Sequence, residues 1–456
     1  MNIPTAEPRP AGGFDIETTT LIIGAGACGL VAALAATENK QQVLVIEADA
    51  VPAGSTSLSA GLIPAAGTMQ QAAAGIHDSP ELFAADIQKK ANHENEPSFV
   101  KALTESSAEV IEWLGSNYGL SFSVVEDFDY PGHSRRRMHG LPTRSGQELI
   151  DALRSACEQA GIDIVCHRRA CVLHYEGRQI HGVTVRNTTD SSLETIACDR
   201  MILACNGFGG NRSMVTRHMP LISEALWFGH SGNQGEAVQW GEQINASVHQ
   251  LGAYQGHGNV AHPHGILISW AVIMQGGIQV NCHGERFWDE TQGYSEAARA
   301  VMSQPGGKAV TVFDQRIARV ARQFEDFKQA ESAGAVIVRD NLRELADHFQ
   351  LPAQALEQTI ADLPENGADA FGRQYEHQSL QAPYYAVQVT GALFHTQGGL
   401  KVDANGQVRH REGGVFENLF AGGGAACGVS GSADTGYLSG NGLLSAVVLG
   451  FRSGRQ

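Results

Sequence analysis

The stretch Thr20-Leu-Ile-Ile-Gly-Ala-Gly-Ala-Cys-Gly-Leu30, then a small-residue helix, then Val43-Leu-Val-Ile-Glu47, decides the fold of this chain. An apolar strand runs into Gly24, Gly26 and Gly29, an Ala-rich helix follows, and Glu47 closes the next strand twenty-three residues after Gly24. In that βαβ context a GxGxxG motif reads as a dinucleotide site. Gly24 permits the tight turn, Gly26 lets the backbone approach a pyrophosphate, and Gly29 lets helix and strand pack closely. An anionic phosphate meets the positive end of the helix dipole, beside Cys28. Glu47, followed by Ala48, can accept from a ribose hydroxyl.

Working outward, the loop Gly54-Ser-Thr-Ser-Leu-Ser-Ala-Gly-Leu-Ile-Pro64 continues the phosphate surface, with Ser55, Thr56, Ser59 and Gly61 as candidate contacts. Residues 80–118 show helical periodicity through Phe83, Ile87, Phe99, Leu103, Val110 and Leu114. A further helix over 146–161 leads into the strand Ile162-Asp-Ile-Val-Cys166, and 171–175 with 180–185 alternate as a hairpin around Glu176-Gly177. Arg200-Met-Ile-Leu-Ala-Cys-Asn-Gly-Phe-Gly-Gly210 is a buried strand ending in a glycine turn, which belongs beside the first βαβ unit. From about residue 229 the texture changes to Gly- and His-rich segments and amphipathic helices, and strands return at 384–400 and 418–421. Residues 1–18 read as a Pro/Gly-rich leading segment of little structure.

The formal net charge of -16 argues against a nucleic-acid partner, which needs a basic face. Eight cysteines contain no CxxC pair and no haem signature, so they read as small buried hydrophobes. No basic region followed by an apolar run and no 18-residue apolar span is present, which predicts a reduced cytoplasmic protein without a membrane span. No residue set has metal-ligand spacing; His262 and His264 stand apart from other ligands.

Four segments match one family in chain order: Gly24 to Gly29, Ala204-Cys-Asn-Gly-Phe-Gly-Gly-Asn211, His395-Thr-Gln-Gly-Gly-Leu400, and Asn418-Leu-Phe-Ala-Gly-Gly-Gly424 through Gly440-Asn-Gly-Leu-Leu444. They resemble the fumarate reductase and succinate dehydrogenase flavoproteins. Asn281-Cys-His-Gly-Glu-Arg-Phe-Trp-Asp-Glu290 and Ala370-Phe-Gly-Arg373 are similar to that family's cap segments. The resemblance implies an α/β protein, with a Rossmann-like FAD-binding domain built from both chain ends (1–228 and 388–456) and an inserted α+β cap or catalytic domain (229–387). It implies FAD contacts along the loops already named and also at Cys171, Ala204, Cys205, Gly207, Gly423, Gly424, Asn441, Leu443 and Leu444. No histidine stands in 54–58, where respiratory members attach flavin covalently, so non-covalent FAD is expected.

The chemistry expected at the site departs from that family. Two arginines of fumarate reductases, one donating a proton and one gripping a carboxylate, fall on Tyr294 and Tyr437, and the family's substrate Thr-Glu pair falls on Ser269 and Trp270. The family's substrate histidines fall on His257 and His395. A tyrosine at both places, with a third in Asp129-Tyr130-Pro131-Gly132, is similar to the 3-ketosteroid Δ1-dehydrogenases. The implied reaction is Cα–Cβ desaturation of a cyclic ketone, either a steroid or a smaller ring such as an oxocyclohexane carboxylate. Tyr437, with a backbone N–H near Asn441, polarises the ketone, because that makes the α-proton acidic. Tyr294 takes that proton as tyrosinate, provided its neighbours lower its pKa from about 10. Hydride passes to flavin N5, and Tyr130 assists or lines the pocket. Arg135, Arg136 and Arg137 either hold a substrate carboxylate or form a solvated basic face. A fumarate-type ene reductase and a flavin subunit that needs a partner protein remain open, as does the electron acceptor, whether oxygen, quinone or dye.

Overall fold

The computed structural model describes residues 4–126, 129–375 and 379–456. Its first layer is a nine-stranded sheet whose centre is parallel: Ile16–Ile23 lies between Val43–Ile46 and Leu193–Leu203, and Val415–Ala421 joins the far side of Leu193–Leu203. The C-terminal ends of these strands, such as Leu21-Ile-Ile23 and Met201-Ile-Leu203, are apolar and buried because both of their faces are covered there. Helix Ala27–Glu38 covers one face with ten buried residues, and the C-terminal helix Asn441–Gly454 packs along it. The two helices can touch because Gly450 and Gly454 lack side chains: a Cβ at 450 would lie 2.5 Å from Cys28 O, and one at 454 would lie 2.4 Å from Ala32 O.

The second layer is a seven-stranded sheet with its own core, organised around the long strand Tyr384–Thr396. Tyr254–Ala261 and Lys308–Asp314 flank that strand in antiparallel register. Helix Tyr294–Met302 lies on Tyr254–Ala261, and glycines permit the close approach. A Cβ at Gly258 would sit 2.4 Å from the Ala297 Cβ, and one at Gly256 would sit 2.6 Å from that of Ala298.

The structure differs from the sequence reading at three places. Thr5–Glu7 pairs with Arg168–Glu176, and Ile16 already belongs to the central strand, so the leading segment is structured where described; residues 1–3 of it lie outside the described residues. The helical region 80–118 is two helices, Pro80–Lys90 and Pro97–Tyr118, parted where Asn92 and His93 take left-handed backbone. The change of texture at 229 does not coincide with a change of core. Helix Glu236–Gln243 turns Ala237 and Trp240 into the first core, and the second core begins about Ala261. Among the described residues no helix is long and apolar enough to cross a membrane.

Candidate active site

A cavity of about 650 Å³ runs from the glycine loop to the tyrosines, within the ordinary range for ligand sites. Gly24, Gly26, Cys28, Glu47, Ala48, Ser55, Thr56, Ser59, Ala204, Cys205, Gly423, Gly424 and Leu443 line it. The geometry fits a dinucleotide. A Cβ at Gly24 would meet Ala204 O at 2.5 Å, so the turn closes against the neighbouring strand. Gly26 caps helix Ala27–Glu38 without a side chain, leaving the positive end of the helix open to the cavity. The Glu47 carboxylate accepts from Ala25 N at 2.8 Å and Asp49 N at 3.0 Å, so it holds the loop and keeps lone pairs for ribose hydroxyls.

Six expected cofactor contacts lie off the cavity wall. Gly29, Gly61 and Gly207 serve backbone packing: a Cβ would lie 1.9 Å from Gly24 O, 2.5 Å from Ser145 O and 1.8 Å from Thr396 Oγ1, respectively. Strand alternation turns Cys171 away and gives the cavity Ala170 instead; the Cys171 thiol bonds Thr184 O at 3.3 Å. Asn441 is fully buried and bonds Ser430 Oγ at 3.2 Å, and Leu444 is fully buried in the first core.

At the other end of the cavity the five expected catalytic residues, Tyr294, Tyr437, Tyr130, His257 and His395, all line the wall. Phe394, His257 and Tyr294 form a stack with ring centroids 5.1 and 5.0 Å apart, and the Tyr294 and Tyr437 rings lie 5.9 Å apart at 60°. The turn that delivers Tyr294 is pinned from below. Fully buried Glu290 accepts from Gln279 N, Arg286 and Arg373, and Ser295 Oγ accepts from Gly256 N at 2.9 Å. The hydroxyls of Tyr437 and Ser439 act on that of Tyr294, and the backbone groups of Gly442 and Gly440 act on that of Tyr437. The backbone group expected near Asn441 is therefore that of Gly442.

One chemical expectation is corrected. Neighbours do not bring the Tyr294 pKa below the usual phenol value: burial drives it well above, the Tyr437 hydroxyl adds to the rise, and the Ser439 hydroxyl opposes it only in part. Burial pushes Tyr437 up to about 12, and Tyr130 also upward. Arg144 opposes the rise at Tyr130 only in part, desolvation prevails at each tyrosine, and all three are phenols.

Burial also takes His257 down to about 3 and His395 down to about 4, so both imidazoles are neutral. The His257 Nδ1 accepts from Asn259 N at 3.1 Å and the His395 Nδ1 faces the Gln397 amide at 2.7 Å, which leaves each Nε2–H as a donor. An unfolded imidazole titrates near 6.5, so below that pH the unfolded chain binds protons that the folded chain refuses. Stability is then full above about pH 6.5 and falls as pH drops from there toward 4 and 3. Thermal unfolding should occur at a lower temperature at pH 5 than at pH 7, and His257→Gln should flatten that slope. An unchanged slope in the variant would remove His257 from this account.

Arg135, Arg136 and Arg137 do not line the cavity. Arg136 pairs with Asp129 at the surface and Arg135 bonds His77 O. Arg137 is buried, paired with Asp78 at 2.9 Å and Asp86 at 2.5 Å over the Phe83 ring, so neither a substrate grip nor a solvated face describes it. The guanidinium on the tyrosine side of the cavity is that of Arg144, whose charge acts on Tyr130. Asn206, Asn233, Arg144 and Phe324 were not singled out from the sequence, although all four line the cavity. Asn206 carried a usable signal, a lone amide inside a glycine turn; Phe324 carried none, because it reaches Leu62 and Met138 only through the tertiary fold.

Known proteins resemble this chain over most of its length. A family model described as FAD binding domain matches residues 19–443. The protein named "Probable fumarate reductase Ifc3" from Shewanella frigidimarina is 30% identical over 450 residues, covering 96% of this chain and 74% of its own length. The open conformation of a flavocytochrome c3 fumarate reductase superposes with a TM-score of 0.81 at 28% identity, covering 98% of this chain and 78% of that one. A 3-ketosteroid Δ1-dehydrogenase from Sterolibacterium denitrificans shares the fold, with a TM-score of 0.77 at 19% identity, covering 96% of this chain and 98% of that one.

Proposed function

Because this chain belongs to the FAD-binding-domain family, among the fumarate reductase and succinate dehydrogenase flavoproteins, and is an FAD-dependent oxidoreductase, we propose that it desaturates a cyclic ketone at Cα–Cβ. The observation that carries this reading is the pairing of the Tyr294 and Tyr437 rings on the cavity wall, packed in one apolar cluster with Trp270, Ile273 and Ala297. Such a surface cannot clamp a dicarboxylate by charge, but it can bind a ring and polarise one carbonyl. With its pKa near 12, Tyr437 keeps its proton at neutral pH and can donate it to the ketone oxygen. Tyr294 takes the α-proton, Tyr130 closes the ring's side of the pocket, and the second core serves as the cap. Bound FAD supplies the two-electron acceptor at the β-carbon. A ring bearing a carboxylate would meet Arg144; a steroid would lie along Phe324, Leu62 and Met138.

A second reading rests on the raised pKa of Tyr294. Held as a phenol, it is a proton donor, which suits the reverse reaction, reduction of a carbon–carbon double bond. One experiment separates the two. Under anaerobic conditions the oxidised protein is mixed with 3-ketosteroids and 4-oxocyclohexanecarboxylate, and the reduced protein with the matching enones and with fumarate, both across pH 6–10 by flavin absorbance.

Desaturation should accelerate with pH up to about tenfold per unit, since the fraction of tyrosinate grows that way below its pKa. If no cyclic ketone bleaches the flavin while fumarate reoxidises it, the desaturase proposal fails and the reductase reading stands. No turnover in either direction would point to a subunit that needs a partner.

A further inference from the structure

We propose that Asn206 and Asn233 convert Ser55 into a donor-only hydroxyl aimed at a pyrophosphate oxygen of the bound dinucleotide. The Ser55 Oγ accepts from Asn206 Nδ2 at 3.0 Å and from Asn233 Nδ2 at 2.9 Å. A hydroxyl has two lone pairs and one proton. Both lone pairs are taken, and among the described residues the proton has no protein acceptor, while Ser55 lines the cavity. Next to it, Thr56 Oγ1 already accepts from Ala27 N at 3.0 Å, at the helix end that faces the phosphate seat. A hydroxyl locked in this sense can bind an anionic oxygen and cannot accept from a cofactor hydroxyl or amide.

The lock is built rather than incidental. Asn206 occupies left-handed backbone, at φ 65°, which an asparagine adopts less readily than glycine. Its Oδ1 accepts from Gly207 N at 2.8 Å, which orients the amide so that Nδ2 faces Ser55. The same Oδ1 takes the space of any side chain at 424, where a Cβ would lie 2.2 Å away, so Gly424 and Asn206 are a matched pair. Asn233 is tied to the same turn through Gly210 N, which donates to its carbonyl at 2.9 Å. Two separate segments thus converge on one serine oxygen. The inference rests on FAD binding alone and is indifferent to which substrate is oxidised or reduced.

The test is the affinity of the full-length apoprotein for FAD, read by fluorescence quenching, with ADP and adenosine as competitors. Ser55→Ala should weaken FAD and ADP alike by about tenfold, the scale of one hydrogen bond to a charged oxygen, and leave adenosine unchanged. Asn206→Gly, which suits the left-handed backbone, should weaken FAD by about three- to tenfold, and the double variant should bind no worse than Ser55→Ala alone. Asn233→Ala should behave as Asn206→Gly does, and serves if that variant misfolds. Additive losses in the double variant would show that Asn206 does not act through Ser55. A loss for FAD without a loss for ADP would overturn the pyrophosphate assignment. Affinity within twofold of wild type for Ser55→Ala would overturn the proposal outright.

Discussion

Tyr294→Phe is expected to bind FAD as tightly as the wild type while the rate of flavin reduction by a cyclic ketone falls about a thousandfold, the usual weight of a lost general base. That fold-change corresponds to about 4 kcal/mol of barrier. Folding should suffer far less. The variant keeps the ring that stacks on His257 and loses one buried hydroxyl, a change of about 1 kcal/mol net. The residue sits where a backbone error would be costly, at the start of a helix pinned by Glu290 below and Ser295 behind, so a conservative change is required. Anaerobic stopped-flow at saturating ketone reads the effect directly. A rate within about threefold of wild type removes Tyr294 from the base role.

Tyr437→Phe should also keep its flavin and lose about a hundredfold in the same rate, the scale of a deleted donor to a developing oxyanion. The distinguishing feature is the pH response. In Tyr294→Phe the residual rate should be flat with pH, because the titrating base is gone. In Tyr437→Phe the rise with pH should survive, because the base remains. The two rings are neighbours and each hydroxyl acts on the other, so the double variant should lose less than the product of the single losses. Full multiplicativity would mean that each tyrosine acts alone. Loss of the pH rise in Tyr437→Phe but not in Tyr294→Phe would exchange their roles.

Local pattern carried much of the fold. The run from Thr20 to Glu47 contains its own strand, turn, helix and strand, and each local preference agrees with the final structure. The site residues were legible where chemistry and position coincide, as at Glu47, Tyr294 and His395. Glycines were harder, because a glycine that touches a ligand and one that touches a backbone obey the same requirement. Gly26 and Gly29 differ only in what lies opposite them. Cys171 missed the cavity by one residue of strand parity, with Ala170 on the correct face. Arg137 could not be read at all without Asp78 and Asp86, since three adjacent arginines look alike until one is buried. The direction of the Tyr294 pKa shift depends on what surrounds a side chain in three dimensions, and Ser439, Tyr437 and Tyr130 all come from other segments.

The clasp between Ala27–Glu38 and Asn441–Gly454 has a consequence for how the protein is made. Synthesis proceeds from the first residue to the last, so the phosphate turn emerges long before Gly423, Gly424, Tyr437 and the helix that backs them. Until those residues leave the ribosome, the first βαβ unit lacks the partner against which Cys28 and Ala32 pack, and Gly423, Gly424 and Leu443 are missing from the cofactor wall. A cofactor seat complete on both sides therefore requires the C-terminal helix to have been made.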